Sequence, residues 1–253
     1  MPIQELDCAT EAHPPDIEAD MNLNEFEVLV RTRRAVRKFK PDPVGENLLR
    51  QLLAICHWAP SGYNLQPTHY ILVMNSDVKA RLCQACMGQK QVLEAAATVV
   101  FTGDRCVVEN NLDRMVELEK AAGAISGKYE KILRYYVSLA FSHRPLGLGW
   151  LWKACLPPLI RWFRPVPAFP AVHKQFWLAK QTMLNAMIFM LAARAAGLAT
   201  VPMEGFDETR VRKVLNIPST QAVLLVVPVG YAADGELKKS RLPVEDFIHR
   251  DGW

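Results

Sequence analysis

Arg31-Thr32-Arg33-Arg34-Ala35-Val36-Arg37-Lys38-Phe39 sets four arginines and a lysine within nine residues. Like charges this close repel, so the stretch is either a solvated basic face or a place built for an anion. Two distant segments bear on the choice. Ala59-Pro60-Ser61-Gly62-Tyr63-Asn64-Leu65-Gln66-Pro67 follows shortly after, and Lys238-Lys239-Ser240-Arg241-Leu242-Pro243 carries a second basic cluster far downstream. Arginine forks grip phosphate through paired N–H donors and keep their charge. The two clusters read as jaws that meet on one phosphate.

Outward from that stretch, the pattern alternates helices and short apolar runs. Leu23 to Val30 is predicted helical, with Asn24 as its cap. Glu46 to Trp58 has helical apolar spacing, and Pro60 ends it. Tyr70 to Met74 reads as a strand, Ser76 to Met87 as a helix, and Ala95 to Thr102 as a buried β-branched strand. Helices follow at Asn110–Ala122 and Lys128–Phe141. His173 to Ala196 is apolar on most faces, which places it in a core, and Gly197 is its stop. Leu198 to Val201 is a strand, Asp207 caps a helix to Leu215, and Ala222 to Val229 is a strand buried on both faces.

The 253 residues suffice for one large core, with or without an excursion. A net charge of +4 gives no case for a nucleic-acid partner. The charge is uneven, however. No acid lies between Glu130 and Glu204, a span with nine basic residues, which leaves 21 basic against 26 acidic residues elsewhere. The six cysteines form no framework, and Cys83-Gln84-Ala85-Cys86 has no second pair to complete a zinc site, so two buried thiols on a helix are expected. Residues 1–21 are polar and lack an apolar leader segment, and read as a flexible tail before a single domain at 22–253. No uncharged apolar run reaches 18 residues, so no spanning helix and a cytoplasmic location are expected.

Five segments, in this order, resemble the FMN-dependent nitroreductases: Arg33 to Phe39, Ala59 to Pro67, Lys180-Gln181-x-x-Leu184-Asn185, Val201-Pro202-Met203-Glu204-Gly205-Phe206-Asp207, and Val226 to Tyr231 with Lys239-Ser240-Arg241-Leu242-Pro243. The resemblance implies an α+β fold, with a mainly antiparallel central sheet wrapped by helices, in an intertwined homodimer. It implies bound FMN, NAD(P)H as reductant, and ping-pong hydride transfer to a small electron-poor acceptor such as a nitroaromatic or quinone. A narrower flavin reductase and a non-catalytic flavin-binding or membrane-associated protein are the alternatives.

By that resemblance Arg33, Lys239 and Arg241 hold the FMN phosphate, with the backbone of Arg34 and Ala35. Arg37 lies at the anionic edge of the reduced ring. The backbone of Glu204 and Gly205 meets the hydride-accepting nitrogen, N5, while Pro202 and Met203 pack on the ring. Pro60, Ser61, Gly62, Asn64 and Gln66 reach the flavin from the partner subunit, and Gln181 faces the ribityl chain. No metal ligand set is implied.

Departures are visible. Ala35 stands where many relatives have Ser, and Gly88 and Gln91 stand where relatives often have Asn and Lys. Gln89 and Gln91 are the residues available to compensate. Residues 140–172 form a basic, aromatic excursion with Trp150, Trp152 and Trp162. A lid over the flavin, a dimer contact and a peripheral membrane contact through 145–164 are its three readings.

Overall fold

Four antiparallel strands organise the chain in the order β1-β2-β4-β3. They are β1 (Thr68–Val73), β2 (Ala97–Asp104), β3 (Ala199–Thr200) and β4 (Gln221–Gly230). The computed structural model describes residues 22–141, 160, 162–163, 170, 173–233 and 239–253. Every residue of β2 is buried. Its β-branched run suits a strand covered on both faces. Val100 stands opposite Val226, and the register shifts between Phe101 and Thr102.

The basic stretch is laid along this sheet. Ala35 bridges Thr200 in parallel, and Phe39 bridges Ala232 antiparallel. Val36 and Phe39 are buried, whereas Ala35 and Arg37 are exposed. Successive side chains of extended backbone point to opposite faces, so burial of Val36 turns its neighbours outward.

Helices α1 (Leu23–Thr32), α2 (Glu46–His57), α3 (Ser76–Ala85), α4 (Gln91–Glu94), α5 (Val107–Ala121), α6 (Gly127–Phe141), α7 (Lys174–Ala195) and α8 (Glu208–Leu215) surround the sheet. One core joins Leu82, Val92, Val100, Met203, Val211 and Val226. A second joins Leu49, Leu52, Phe101, Phe189 and Leu225. Neighbours such as Val100 and Phe101 thus serve opposite sides of one sheet. A third cluster gathers α5, α6 and Trp177.

Asn22, not Asn24, caps α1. Its side chain accepts from the Glu25 N–H while the Glu25 carboxylate accepts from the Asn22 N–H. Both asparagines have an acid three residues on, but Glu27, the one that follows Asn24, is engaged by Arg31, whereas Glu25 reaches back to Asn22. The other stop signals act as read: Gly197 has φ 76°, and the Asp207 side chain accepts from the Arg210 N–H to start α8.

By length and composition alone α7 is long and apolar enough to cross a membrane. It packs instead against α2 and the sheet, and buries Leu178, Ala186, Phe189 and Ala193. Asn185 is its polar hub. It accepts from the Thr68 hydroxyl at 3.0 Å and donates to the Cys56 carbonyl at 2.8 Å and the Tyr70 hydroxyl at 2.9 Å. Phe176 and Leu184 on the same helix remain exposed.

Cys83 and Cys86 are the buried free thiols expected. Burial, then the neighbouring Cys83, pushes the Cys86 thiol up to about 12. The tail at 1–21 and most of the excursion lie outside the described residues, including Trp150 and Trp152. Within the excursion Trp162 and Phe163 are described, and both are exposed.

Candidate functional site

The C-terminal cluster reaches the first one through a helix end. The Lys239 ammonium donates to the carbonyls of Val30 at 3.1 Å and Arg31 at 2.9 Å, and also to that of Arg33. These carbonyls close α1, where backbone acceptors lack partners and the helix dipole favours a cation. Lys239 therefore caps α1, and residues 239–241 are drawn against 31–34.

The result is a set of cations close enough to disturb one another. Burial, then Arg241, lowers the pKa of Arg33. Burial, then Arg33, Arg241 and Arg34, lowers that of Lys239. Nε of Arg33 and both Nε and Nη1 of Arg34 are buried without a hydrogen-bond partner. Carboxylates elsewhere are engaged: Glu27 with Arg31, Glu46 with Arg50, Glu130 with Lys120 and Arg134, and Glu208 with Arg105 and Arg212. Among the described residues none pairs with Arg33, Arg34, Arg37, Lys239 or Arg241. Buried guanidinium donors left open are costly unless something completes them. A dianionic phosphate has the charge and the acceptors to do so.

Beside this cluster lies a cavity of about 450 Å³, lined by Arg37, Gln89, Gln91, Val201, Pro202, Met203, Glu204 and Gly205. Backbone pairing shapes its wall. Met203 exchanges hydrogen bonds with Val226 at 2.9 and 3.1 Å, and the Asp207 N–H donates to the Ala85 carbonyl at 2.9 Å. Between these anchors Glu204 and Gly205 are exposed, and their N–H groups have no partner among the described residues. The Gln89 amide donates to the Gly205 carbonyl at 2.8 Å, and Gln91 donates to Gln89 at 2.8 Å. Arg37 is the cation of the wall. The structure thus brings Arg37, Gln91, Pro202, Met203, Glu204 and Gly205 to one cavity, with Arg33, Arg34, Ala35, Lys239 and Arg241 alongside on the same sheet edge.

The loop at 60–67 lies elsewhere. Thr68, just after it, faces Gly103, whereas Thr200 beside Ala35 faces Val229, which faces Ala97. Ala97 and Gly103 lie near opposite ends of β2, about 20 Å apart at ~3.4 Å per residue. Accordingly Pro60, Ser61, Gly62, Asn64 and Gln66 do not line the cavity. Gln181 accepts from the Gly62 N–H at 2.8 Å, so it fastens this loop to α7. Ser61 accepts from the Gln66 N–H at 2.9 Å, and Asn64 donates to Glu119 at 2.8 Å. A Cβ on Gly62 would lie 3.2 Å from Trp177 Nε1, so any larger residue there would have to push the indole back by a few tenths of an ångström. Tyr63, Asn64 and Gln66 all hold positive φ, at 57°, 52° and 49°. Such backbone persists only when its surroundings hold it.

The family model for the nitroreductase family matches residues 30–231. The chain belongs to the nitroreductase family. This nitroreductase-family chain is 28% identical over 232 residues to an NADH dehydrogenase of Thermus thermophilus, covering 92% of this chain and 98% of the other. It is 28% identical over 208 residues to an oxygen-insensitive NAD(P)H nitroreductase of Salmonella typhimurium, covering 78% and 86%. The solved structure of Bacillus subtilis ydfN superposes with a TM-score of 0.73 at 27% identity, covering 90% of this chain and all of that one. A structure from Exiguobacterium sibiricum, solved in complex with FMN, shares the fold at TM-score 0.68 and 20% identity over 89% of this chain and 97% of its own. Two features of the nitroreductase-family site were not evident from sequence: the use of Lys239 as a helix cap, and the hold of Gln89 on Gly205.

Proposed function

We propose that the chain is an FMN-dependent NAD(P)H oxidoreductase that passes hydride to a small electron-poor acceptor, a nitroaromatic or a quinone, by a ping-pong route. The observation that carries this is the convergence of Arg33, Arg34, Lys239 and Arg241, without carboxylates, beside a cavity that offers Arg37 and the Gly205 N–H. Arg33, Arg34 and Arg241 would hold the phosphate, and Lys239 would hold the jaws together. Arg37 would stabilise negative charge at the ring's carbonyl edge, and the Gly205 N–H would face the hydride-accepting nitrogen. Pro202 and Met203 supply an apolar bed. FMN held by these residues would supply the hydride chemistry between a nicotinamide and the acceptor. The protein's task is position and field.

The loop residues enter through a second copy. Ser61, Gly62, Asn64 and Gln66 lie far from the cavity of their own chain, yet their loop, with positive φ at Asn64 and Gln66, is firmly fastened. Exposed Phe176 and Leu184 on α7 supply apolar contact for a homodimer in which each loop serves the other chain's flavin. Purified protein titrated with FMN and then with NADH or NADPH under anaerobic conditions tests the reading. Binding, bleaching of the flavin band, and its return on adding menadione or a nitroarene are expected. A flavin that stays oxidised with both donors would refute an enzymatic role.

A further inference from the structure

We infer that Gln89 is a positioning residue that aims the Gly205 N–H into the cavity, with Gln91 locking Gln89 in turn. The inference rests on the flavin reading above and goes beyond it, because it assigns the work to a neutral amide pair.

Glycine is the residue least able to hold its own backbone direction. Gly205 stands in the cavity wall with its N–H open. The Phe206 N–H donates to the Glu204 carbonyl at 3.0 Å and closes a tight turn about Gly205, and two further contacts fix that turn to its neighbours. The Asp207 N–H is tied to the Ala85 carbonyl at 2.9 Å, and the Gly205 carbonyl receives the Gln89 amide at 2.8 Å. Both partners belong to one short segment, 85–91, so the two loops are clamped at two points.

Gln89 is itself well placed to act as a clamp. Its N–H donates to the Cys86 carbonyl at 3.1 Å, its carbonyl accepts from the Val92 N–H at 3.1 Å and the Cys83 thiol at 3.4 Å, and its side-chain oxygen accepts from Gln91 at 2.8 Å. With that oxygen engaged by Gln91, the NH2 end is directed at Gly205. The fit is tight: a Cβ on residue 205 would lie 3.2 Å from Gln89 Nε2. Gly205 and Gln89 are thus matched, and neither needs a positive φ or a charge to explain its presence.

Gln91 is a neutral donor at this wall, and it fixes Gln89. Arg37 remains the cavity's cation, and the amide pair supplies direction.

The test uses the full-length chain with Gln89→Met and Gln89→Glu, before and after FMN addition. Without FMN, hydrogen exchange at the Phe206 and Asp207 amides is expected to quicken about threefold to tenfold in Gln89→Met, the worth of one hydrogen bond. Unchanged exchange overturns the clamp. With FMN, the dissociation constant is expected to rise by a similar factor, with altered fine structure in the visible flavin band. Gln89→Glu keeps the bond from Gln91 but cannot donate to Gly205 while ionised. Its affinity relative to wild type is expected to recover as pH falls toward the ordinary Glu range, about 4.3, where the protonated acid donates again. Wild-type affinity and spectrum in both variants, or a loss in Gln89→Glu that no pH restores, overturns the positioning role. Wild type that binds no FMN defeats the flavin reading, while the exchange result still decides the clamp.

Discussion

Replacing Arg33 with Gln should move ligand affinity and stability in opposite directions. The guanidinium has a buried Nε without a partner and lies within the field of Arg241 and Lys239. A charge-assisted hydrogen bond to phosphate contributes about 1.5–3 kcal/mol, so Arg33→Gln should weaken FMN about 10- to 100-fold. Riboflavin lacks the phosphate and should bind the variant as it binds wild type. In the protein without ligand, the same change removes repulsion among the clustered cations. These groups are partly exposed, so screening holds the gain below about 1 kcal/mol, or at most roughly 2–4 °C in Tm for a chain of this size. Half-molar salt should erase the gain. The measurements are flavin fluorescence quenching with FMN and riboflavin in parallel, and thermal melts at two ionic strengths. Equal losses for both flavins would show that Arg33 does not read the phosphate. A lower Tm in the variant would show that the cluster is not self-repelling.

Lys239→Met should behave in the opposite way in melts, because it strips a cap from the carbonyls of Val30, Arg31 and Arg33; a loss of about 1 kcal/mol, with faster exchange in α1, is expected. Asn185→Leu removes three buried hydrogen bonds, although the Thr68 hydroxyl keeps Thr182 at 3.3 Å and the Cys56 carbonyl keeps the Ala59 N–H at 3.1 Å; a loss of about 3 kcal/mol at roughly 1 kcal/mol per bond is expected, seen as a Tm drop of roughly 6–12 °C. Hydrogen bonds from Lys120 and then Arg134 hold the Glu130 carboxyl below its usual range. A depressed carboxylate adds stability above the ordinary value, about 4.3, and forfeits it as pH falls through the folded one. Urea midpoints of wild type and Glu130→Gln should therefore differ at pH 7 and converge below about pH 4; a constant gap would contradict the assignment.

Sequence legibility divides along a physical line. Thr98-Val99-Val100-Phe101 and Val223-Leu224-Leu225-Val226 announce central strands, because burial on both faces demands apolar, branched residues in a row. Asp207 and Gly197 announce helix ends because capping is local. The meeting of Arg33 with Arg241 was legible as chemistry, since like charges need a shared anion. Partner choice was less so. Lys239 has a phosphate-binding side chain in sequence terms, and only the fold shows it turned to carbonyls more than 200 residues away. Gln181 pairs with Gly62, 119 residues upstream, for the same reason. The distance of the 60–67 loop from the cavity depended on sheet register, which no local pattern encodes.

The bond from Lys239 to the Arg33 carbonyl spans 206 positions of chain. At about 5–20 residues per second, synthesis needs roughly 10–40 s to travel from one to the other. Throughout that interval α1 lacks its terminal cation, and the basic cluster lacks Arg241. The cationic corner is therefore completed late in translation, and an anion that needs all of it can be taken up only near the end of synthesis.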